Sequence, residues 1–352
     1  MSKFSQKLLR WYDKFGRKDL PWQKTQTPYR VWVSEIMLQQ TQVATVIPYY
    51  QRFMRSFPNL KRLALADQDD VLHLWTGLGY YARARNLHKT AQIIYKEHKG
   101  RFPLVVDQLV ELPGIGRSTA GAILALSQQQ RLPILDGNVK RVFCRMFALE
   151  GWPDSPATQK LLWPLAEKLL PKERMRDYTQ AIMDLGAMVC TRSTVACEEC
   201  PMIKDCEAYK TKRVAELPHK KAKIKQPIKS TCMLIIKNND NDILLEKRPP
   251  TGIWGGLWSF PECEISEVVD WCQQQWGIGI SHVETMPVIR HTFSHFHLDI
   301  TPVTVVIQEK DKKVLLNYQL RVMESDNQLW YNNKLEQRLG FAAPVKKLLE
   351  SV

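Results

Sequence analysis

Before residue 230 the apolar residues never alternate with a strand's two-residue period; after it they do so repeatedly. That switch requires an all-α first part and an α+β second part. Helical spacing predicts elements at 3–15 (Phe4, Leu8, Trp11, Tyr12, Phe15), 29–42 and from Val46 to Ile94, with breaks at Pro48, Pro58 and Gly77-Leu78-Gly79. Further helices are expected at 105–111, 117–128, 138–149, 157–170 and 175–189. Strands are expected at 231–237 and 243–247, joined as a hairpin across Asn238–Asp242, and at 288–297 and 298–307, with helices at 264–276 and 344–350. Residues 211–229 carry Lys220-Lys221-Ala222-Lys223 with prolines and few apolar side chains, as a linker does. The expected division is 1–210 helical, 211–229 basic linker, 230–352 α+β.

Charge follows the same boundary. Residues 1–229 hold 38 Lys/Arg against 21 Asp/Glu, a balance of +17, while residues 230–352 hold 12 against 15, a balance of −3. A basic helical part favours a polyanionic partner, nucleic acid before membrane surface. No stretch approaches the roughly 18–20 apolar residues of a membrane span. The N-terminus lacks an apolar signal core, so a cytoplasmic protein is expected; a monomer is expected as well.

Three stretches bear chemistry. Leu112-Pro113-Gly114-Ile115-Gly116 reads as a tight hairpin between helices, within about 107–127. It is either an ordinary turn or, with its N–H groups at the start of a helix, a seat for one backbone phosphate. About twenty residues on, Asp136 precedes Gly137 and Asn138; Asp-Gly is a common cap or turn, but here it also places a carboxylate just past that helix. Glu35 lies in an apolar helix on one face with Val31, Trp32, Leu38 and Gln39, where partial burial would raise its pKa and make it a proton donor. After Gly77-Leu78-Gly79, Tyr80, Tyr81, Arg83 and Arg85 interleave aromatics with cations, as a nucleic-acid surface does and as a capped helix with core tyrosines also does. Finally, Cys190, Cys197, Cys200 and Cys206 place four of the eight cysteines in one short loop. In a cytoplasmic chain this is a metal centre rather than a disulfide set. One tight Cys-x2-Cys pair with wider outer spacings fits an iron–sulfur cluster better than zinc.

The hairpin, the Leu135-Asp-Gly-Asn-Val139 stretch and the cysteine loop, in that order, resemble the helix-hairpin-helix DNA glycosylase superfamily of endonuclease III. Val31-Trp-Val-Ser-Glu35-Ile-Met-Leu-Gln-Gln-Thr41 and Gly77-Leu-Gly-Tyr-Tyr-Ala-Arg-Ala-Arg-Asn86 resemble its adenine-excising branch. Arg290-His-Thr-Phe-Ser-His-Phe-His297 resembles that branch's lesion-reading loop, and residues 230–352 resemble a Nudix fold. The resemblance implies a multidomain protein: an all-α glycosylase domain with one [4Fe-4S] cluster on the four cysteines, and an α+β Nudix-like domain. It implies a base-excision repair enzyme for adenine opposite 8-oxoguanine or guanine in double-stranded DNA, working by base flipping in a bacterial cytosol or nucleoid. Glu35 is then the acid, Asp136 the stabiliser of the sugar cation and Asn138 an orienting group. Gln40 and Tyr80 are wedges, with Thr41, Leu78, Gly114, Gly116, Arg83 and Arg85 as DNA contacts and Phe293, Ser294 and His295 as lesion readers.

Two departures matter. Bifunctional relatives carry a lysine at the position of Ser118. A serine cannot form an imine, so strand cleavage by that route is not expected. Ser118 is kept as a candidate in the site, and a glycosylase/lyase acting on oxidised pyrimidines is the rival reading. In the Nudix motif the frame survives at Gly256, Glu262 and Gly277-Ile278, but three glutamates have become Trp271, Gln274 and Gln275. Magnesium needs hard oxygen ligands, so this domain is expected to read rather than hydrolyse.

Overall fold

The computed structural model describes residues 2–221, 225–238, 240–277, 279–308, 322, 325–335 and 337–352. Three expectations reach outside the described residues: linker residues 222–224, Asn239 of the hairpin and Ile278 of the Nudix frame. The chain forms two compact units, Met1–Ala66 with Asn86–Lys223, and Asp67–Arg85 with Ile224–Val352.

The first unit is helical. It holds α1 (Lys3–Phe15), α2 (Pro28–Leu38), α3 (Val43–Ser56) and α4 (Leu60–Ala64). In the second unit lies α5 (Gln68–Trp75); α6 (Ala82–Glu97) crosses from the second unit into the first. There follow α7 (Val106–Val110), α8 (Arg117–Gln128), α9 (Gly137–Met146), α10 (Pro156–Lys168), α11 (Met175–Asp184) and α12 (Glu207–Lys210). The central element is α8, every residue of which from Ala120 to Ser127 is buried. It packs against α2, α7 and α11. Its small residues make this possible. A Cβ at Gly121 would lie 2.4 Å from the Pro133 carbonyl oxygen, so glycine lets the extended segment before Asp136 lie directly on the helix. The helix expected over 175–189 stops being α-helical at Asp184. It continues as a π-turn over Leu185–Val189, closed by Cys190 N–H donating to the Leu185 carbonyl at 2.7 Å. Likewise α2 ends at Leu38, short of 42, because Gln40 turns into the left-handed region at φ 56°.

The second unit is built on two sheets. In the first, β1 (Ile228–Ile235) pairs in parallel with β7 (His297–Ile307), in register from Ile228↔His297 to Ile235↔Thr304. The strands β4 (Glu262–Cys263), β5 (Ile280–Thr285) and β6 (Ile289–Thr292) complete it. The second sheet has the order β3 (Trp258–Ser259), β2 (Ile243–Lys247), β8 (Gln328–Tyr331). The expected hairpin is therefore only a tight turn. Asn238 N–H donates to the Asp242 carbonyl, a single Lys237↔Ile243 bridge forms, and the two strands then enter different sheets. The core between sheet and helix α13 (Val268–Trp276) gathers Cys232, Leu234, Leu244, Cys272, Trp276 and Val303. A last helix, α14, spans Ala343–Leu349.

Candidate active site and cysteine centre

Glu35 interrupts a helix whose other central residues, Val31 to Met37, are buried. Protein encloses its carboxyl group, while part of the side chain keeps contact with solvent. Burial, reinforced by the nearby Asp136 carboxylate, pushes the Glu35 pKa up to about 8. Asp136 is the N-cap of α9, its Oδ1 accepting from Val139 N–H at 2.8 Å. Its Oδ2 accepts from Asn138 Nδ2 at 3.4 Å. Burial raises its pKa as well, but the Val139 N–H and the Arg141 charge oppose that rise. The donors around Asp136 favour its anion, and no such donor lowers Glu35. The two carboxyl groups thus sit in different surroundings: burial raises Glu35 unopposed, while hydrogen-bond donors and a cation oppose the same rise at Asp136. The cap reading of Asp-Gly therefore holds, and the same residue remains the candidate catalyst.

Ser118, in the first turn of α8, does not project a free hydroxyl. Its Oγ accepts from Leu135 N–H at 2.9 Å, anchoring the residue before Asp136. With Gly121 beneath Pro133, α8 thus fixes the approach of the Asp136 segment from one side. The π-turn fixes it from the other: a Cβ at Gly186 would lie 2.6 Å from Asn138 Cβ. Arg141 binds these parts together. Its Nη2 donates to Asn138 Oδ1 at 2.8 Å and to the Gly186 carbonyl at 2.6 Å, and its Nε donates to the Cys190 carbonyl at 2.8 Å. Arg141 and Gly186 were not singled out from sequence. Arg141 stands one helical turn after Asn138, and that spacing was the available signal.

The hairpin residues Gly114 and Gly116 are exposed. Gly114 has φ 80°, and Gly116 is the N-cap of α8 with no side-chain partner for the N–H groups there. Gln40 is exposed, and Thr41 Oγ1 donates to the Gln39 carbonyl.

Cys190, Cys197, Cys200 and Cys206 are free thiols that line one pocket. Val189, Val195, Ile203, Val214 and Tyr209 supply its apolar wall, and Arg145 its cation. Arg145 is itself buried. It donates to the Thr191 and Leu217 carbonyls at 2.6 and 2.8 Å and to Cys190 Sγ at 3.4 Å. Among the described residues no three His, Cys, Asp or Glu side chains come together tightly enough for a single metal ion. Four thiols lining one apolar pocket with one cation, and not drawn together around a single ion, suit a polynuclear thiolate cluster, whereas zinc draws its sulfurs in to about 2.3 Å.

In the second unit Leu78 is buried, while Tyr80 stands 52% exposed in the left-handed region at φ 49°. Arg83 and Arg85 point inward. Arg83 Nη2 donates to the Leu78 and Gly79 carbonyls, and its guanidinium lies over the Trp75 and Tyr80 rings; burial lowers its pKa to about 10. Arg85 Nη1 donates to the Gly255 carbonyl at 2.6 Å. Ser294 and His295 are exposed at the tip of a loop whose Phe293 ring stacks on Phe296 at 4.4 Å.

Residues 33–168 match the family described as the HhH-GPD superfamily base excision DNA repair protein, and residues 232–351 match the NUDIX domain family. The helical unit also resembles the solved structure of a thermostable thymine-DNA glycosylase, 28% identical, with a TM-score of 0.54 over 59% of this chain and 95% of that one. A non-covalent endonuclease III–DNA complex shares the fold at 20% identity and TM-score 0.51, covering 59% of this chain and 94% of that one. The fold and the two family matches thus define a DNA glycosylase of the helix-hairpin-helix superfamily joined to a Nudix domain. Over its full length the chain is 43% identical to the adenine DNA glycosylase of Buchnera aphidicola from Acyrthosiphon pisum, covering 99% of this chain and 97% of the relative. It is 34% identical to the human adenine DNA glycosylase, covering 86% and 68%. The chain belongs to the adenine DNA glycosylase family, enzymes that hydrolyse N-glycosyl bonds in base excision repair.

Proposed function

We propose that the enzyme removes adenine paired with 8-oxoguanine, or with guanine, from duplex DNA, without cutting the strand. What supports the chemistry is the Glu35–Asp136 pair, an acid whose pKa burial raises near an aspartate held by hydrogen-bond donors. The adenine leaves the stack to reach it, with Gln40 and Tyr80 filling the gap and Thr41 and Leu78 shaping the turns that carry them. Glu35 donates its proton to adenine N7. The C1′–N9 bond breaks with its electrons passing to the base, and Asp136 stabilises the cationic sugar left behind. Glu35, now a carboxylate, takes a proton from the water that attacks C1′, which restores its starting state. Asn138 orients Asp136.

The hairpin amides at Gly114 and Gly116 hold one phosphate. Arg83 and Arg85 serve the DNA surface through the turn they brace. The four cysteines would hold one [4Fe-4S] cluster that supports the structure and the DNA contact, and no redox step is assigned to it. Ser118 supports Leu135 and carries no amine, so it offers no lyase nucleophile. Phe293, Ser294 and His295 read 8-oxoguanine on the other strand.

Single-turnover excision on a duplex with adenine opposite 8-oxoguanine, scored with and without alkali, tests this. Strand breaks are expected only after alkali. Breaks without alkali would mean the endonuclease III-like glycosylase/lyase activity instead, and no product would remove the proposal altogether.

A further inference from the structure

Trp254 is a bulky residue held in the left-handed region, at φ 52°, and it is 8% exposed. Such a conformation is costly for a side chain of this size and persists only where its surroundings enforce it. Its indole packs at 5.4 Å from His291 and 5.5 Å from Phe293, with the Arg248 guanidinium over the ring at 5.9 Å. The next residue faces elsewhere. Gly255 offers its carbonyl to Arg85 Nη1 at 2.6 Å, and a Cβ there would lie 2.6 Å from the Pro250 carbonyl oxygen, so only glycine fits. A Cβ at Gly256 would touch Arg85 Cδ at 3.5 Å. Arg85 in turn stands at the start of α6, where Arg85 N–H donates to the Tyr81 carbonyl and Arg83 N–H to the Tyr80 carbonyl. Packed contacts therefore run without a break from Phe293 through Trp254, Gly255 and Arg85 to the turn bearing Tyr80.

We infer that Trp254 is a positioning residue that couples the lesion-reading loop to the wedge turn, so that the base bound at Phe293–His295 sets how Tyr80 enters the helix. This rests on the assignment of that loop as the 8-oxoguanine reader. Coupling of this kind is a difference in free energy between two arrangements that both sites bias, which makes it measurable as a ratio of rates.

The test uses the full chain with Trp254→Ala and Trp254→Phe, measuring single-turnover excision of adenine opposite 8-oxoguanine and opposite guanine. In the alanine variant the preference for 8-oxoguanine should fall by about 3- to 30-fold, the range for residues that transmit coupling. The rate opposite guanine should hold, and phenylalanine should restore most of the preference. A 2-aminopurine beside 8-oxoguanine should lose its lesion-dependent fluorescence change, a readout that mere loss of stability would not move selectively. If the alanine variant does not fold, Arg85→Met breaks the same path at its far end and should lower the same ratio. An unchanged ratio in a folded variant, or an equal loss opposite both bases, overturns the coupling. A wild-type enzyme with no preference overturns the lesion-reading assignment itself, and the coupling with it.

Discussion

Replacing Glu35 by Gln should stabilise the protein, and by an amount that grows with pH. In the unfolded chain this carboxyl titrates at 4.5, and in the folded protein at about 8. Between those values the folded state binds the extra proton, so wild-type stability declines as pH rises through the window and levels off above it. At about 1.36 kcal/mol per pH unit the ceiling is roughly 5 kcal/mol. Relaxation and the solvent reaching part of Glu35 should reduce this to about 2 kcal/mol at pH 8.5. For a unit of this size that is a gain of about 4–8 °C in melting temperature at pH 8.5. Near pH 4.5 the gain should vanish, and whatever the buried amide itself costs is the same at every pH. The assay is a series of thermal melts of both proteins from pH 5 to 9. A melting difference that stays flat across the series would refute the buried-acid reasoning. In the same window wild-type excision should fall as pH rises through about 8, because the proton donor is lost.

Three other changes should separate roles. Asp136→Asn should lower excision by at least ~100-fold while duplex binding, read by anisotropy, persists; Asp136→Ala should cost about 1 kcal/mol more in urea melts because the cap on Val139 N–H goes too. Gly121→Ala puts a methyl 2.4 Å from the Pro133 oxygen, so the Asp136 segment must shift and single-turnover rate should drop ~10-fold, with affinity for an abasic duplex nearly kept. Arg145→Met leaves the Thr191 and Leu217 carbonyls without their donor, so about 2–3 kcal/mol of stability should be lost in urea melts and iron content at isolation should fall.

Much of this was legible in the sequence, for reasons that differ by element. β2 was expected at Ile243–Lys247 and lies there, because a short apolar run between turn residues has few alternatives. The first strand was also found, yet its partner was not. Pairing Ile228–Ile235 with His297–Ile307 joins segments about seventy residues apart, and no local signal encodes that choice. Glu35 was visible as a charged residue among apolar ones. The inward aim of Arg83 and Arg85 was not, since a cation beside aromatics reads the same whether it faces phosphate or backbone carbonyls. The grouping of Asp67–Arg85 with the second unit was likewise invisible to periodicity. The π-turn escaped because a single inserted residue leaves the helical pattern of 175–189 almost intact.

The hydrogen bond from Leu135 to Ser118 also bears on how new activity could arise in this chain. A change at position 118 that introduced an amine would at once leave the Leu135 N–H without its acceptor, next to the aspartate the reaction is assigned to. The first step toward cutting the strand would thus loosen the step that removes the base. A second substitution that re-anchored the segment Ser118 now holds would recover what the first one cost.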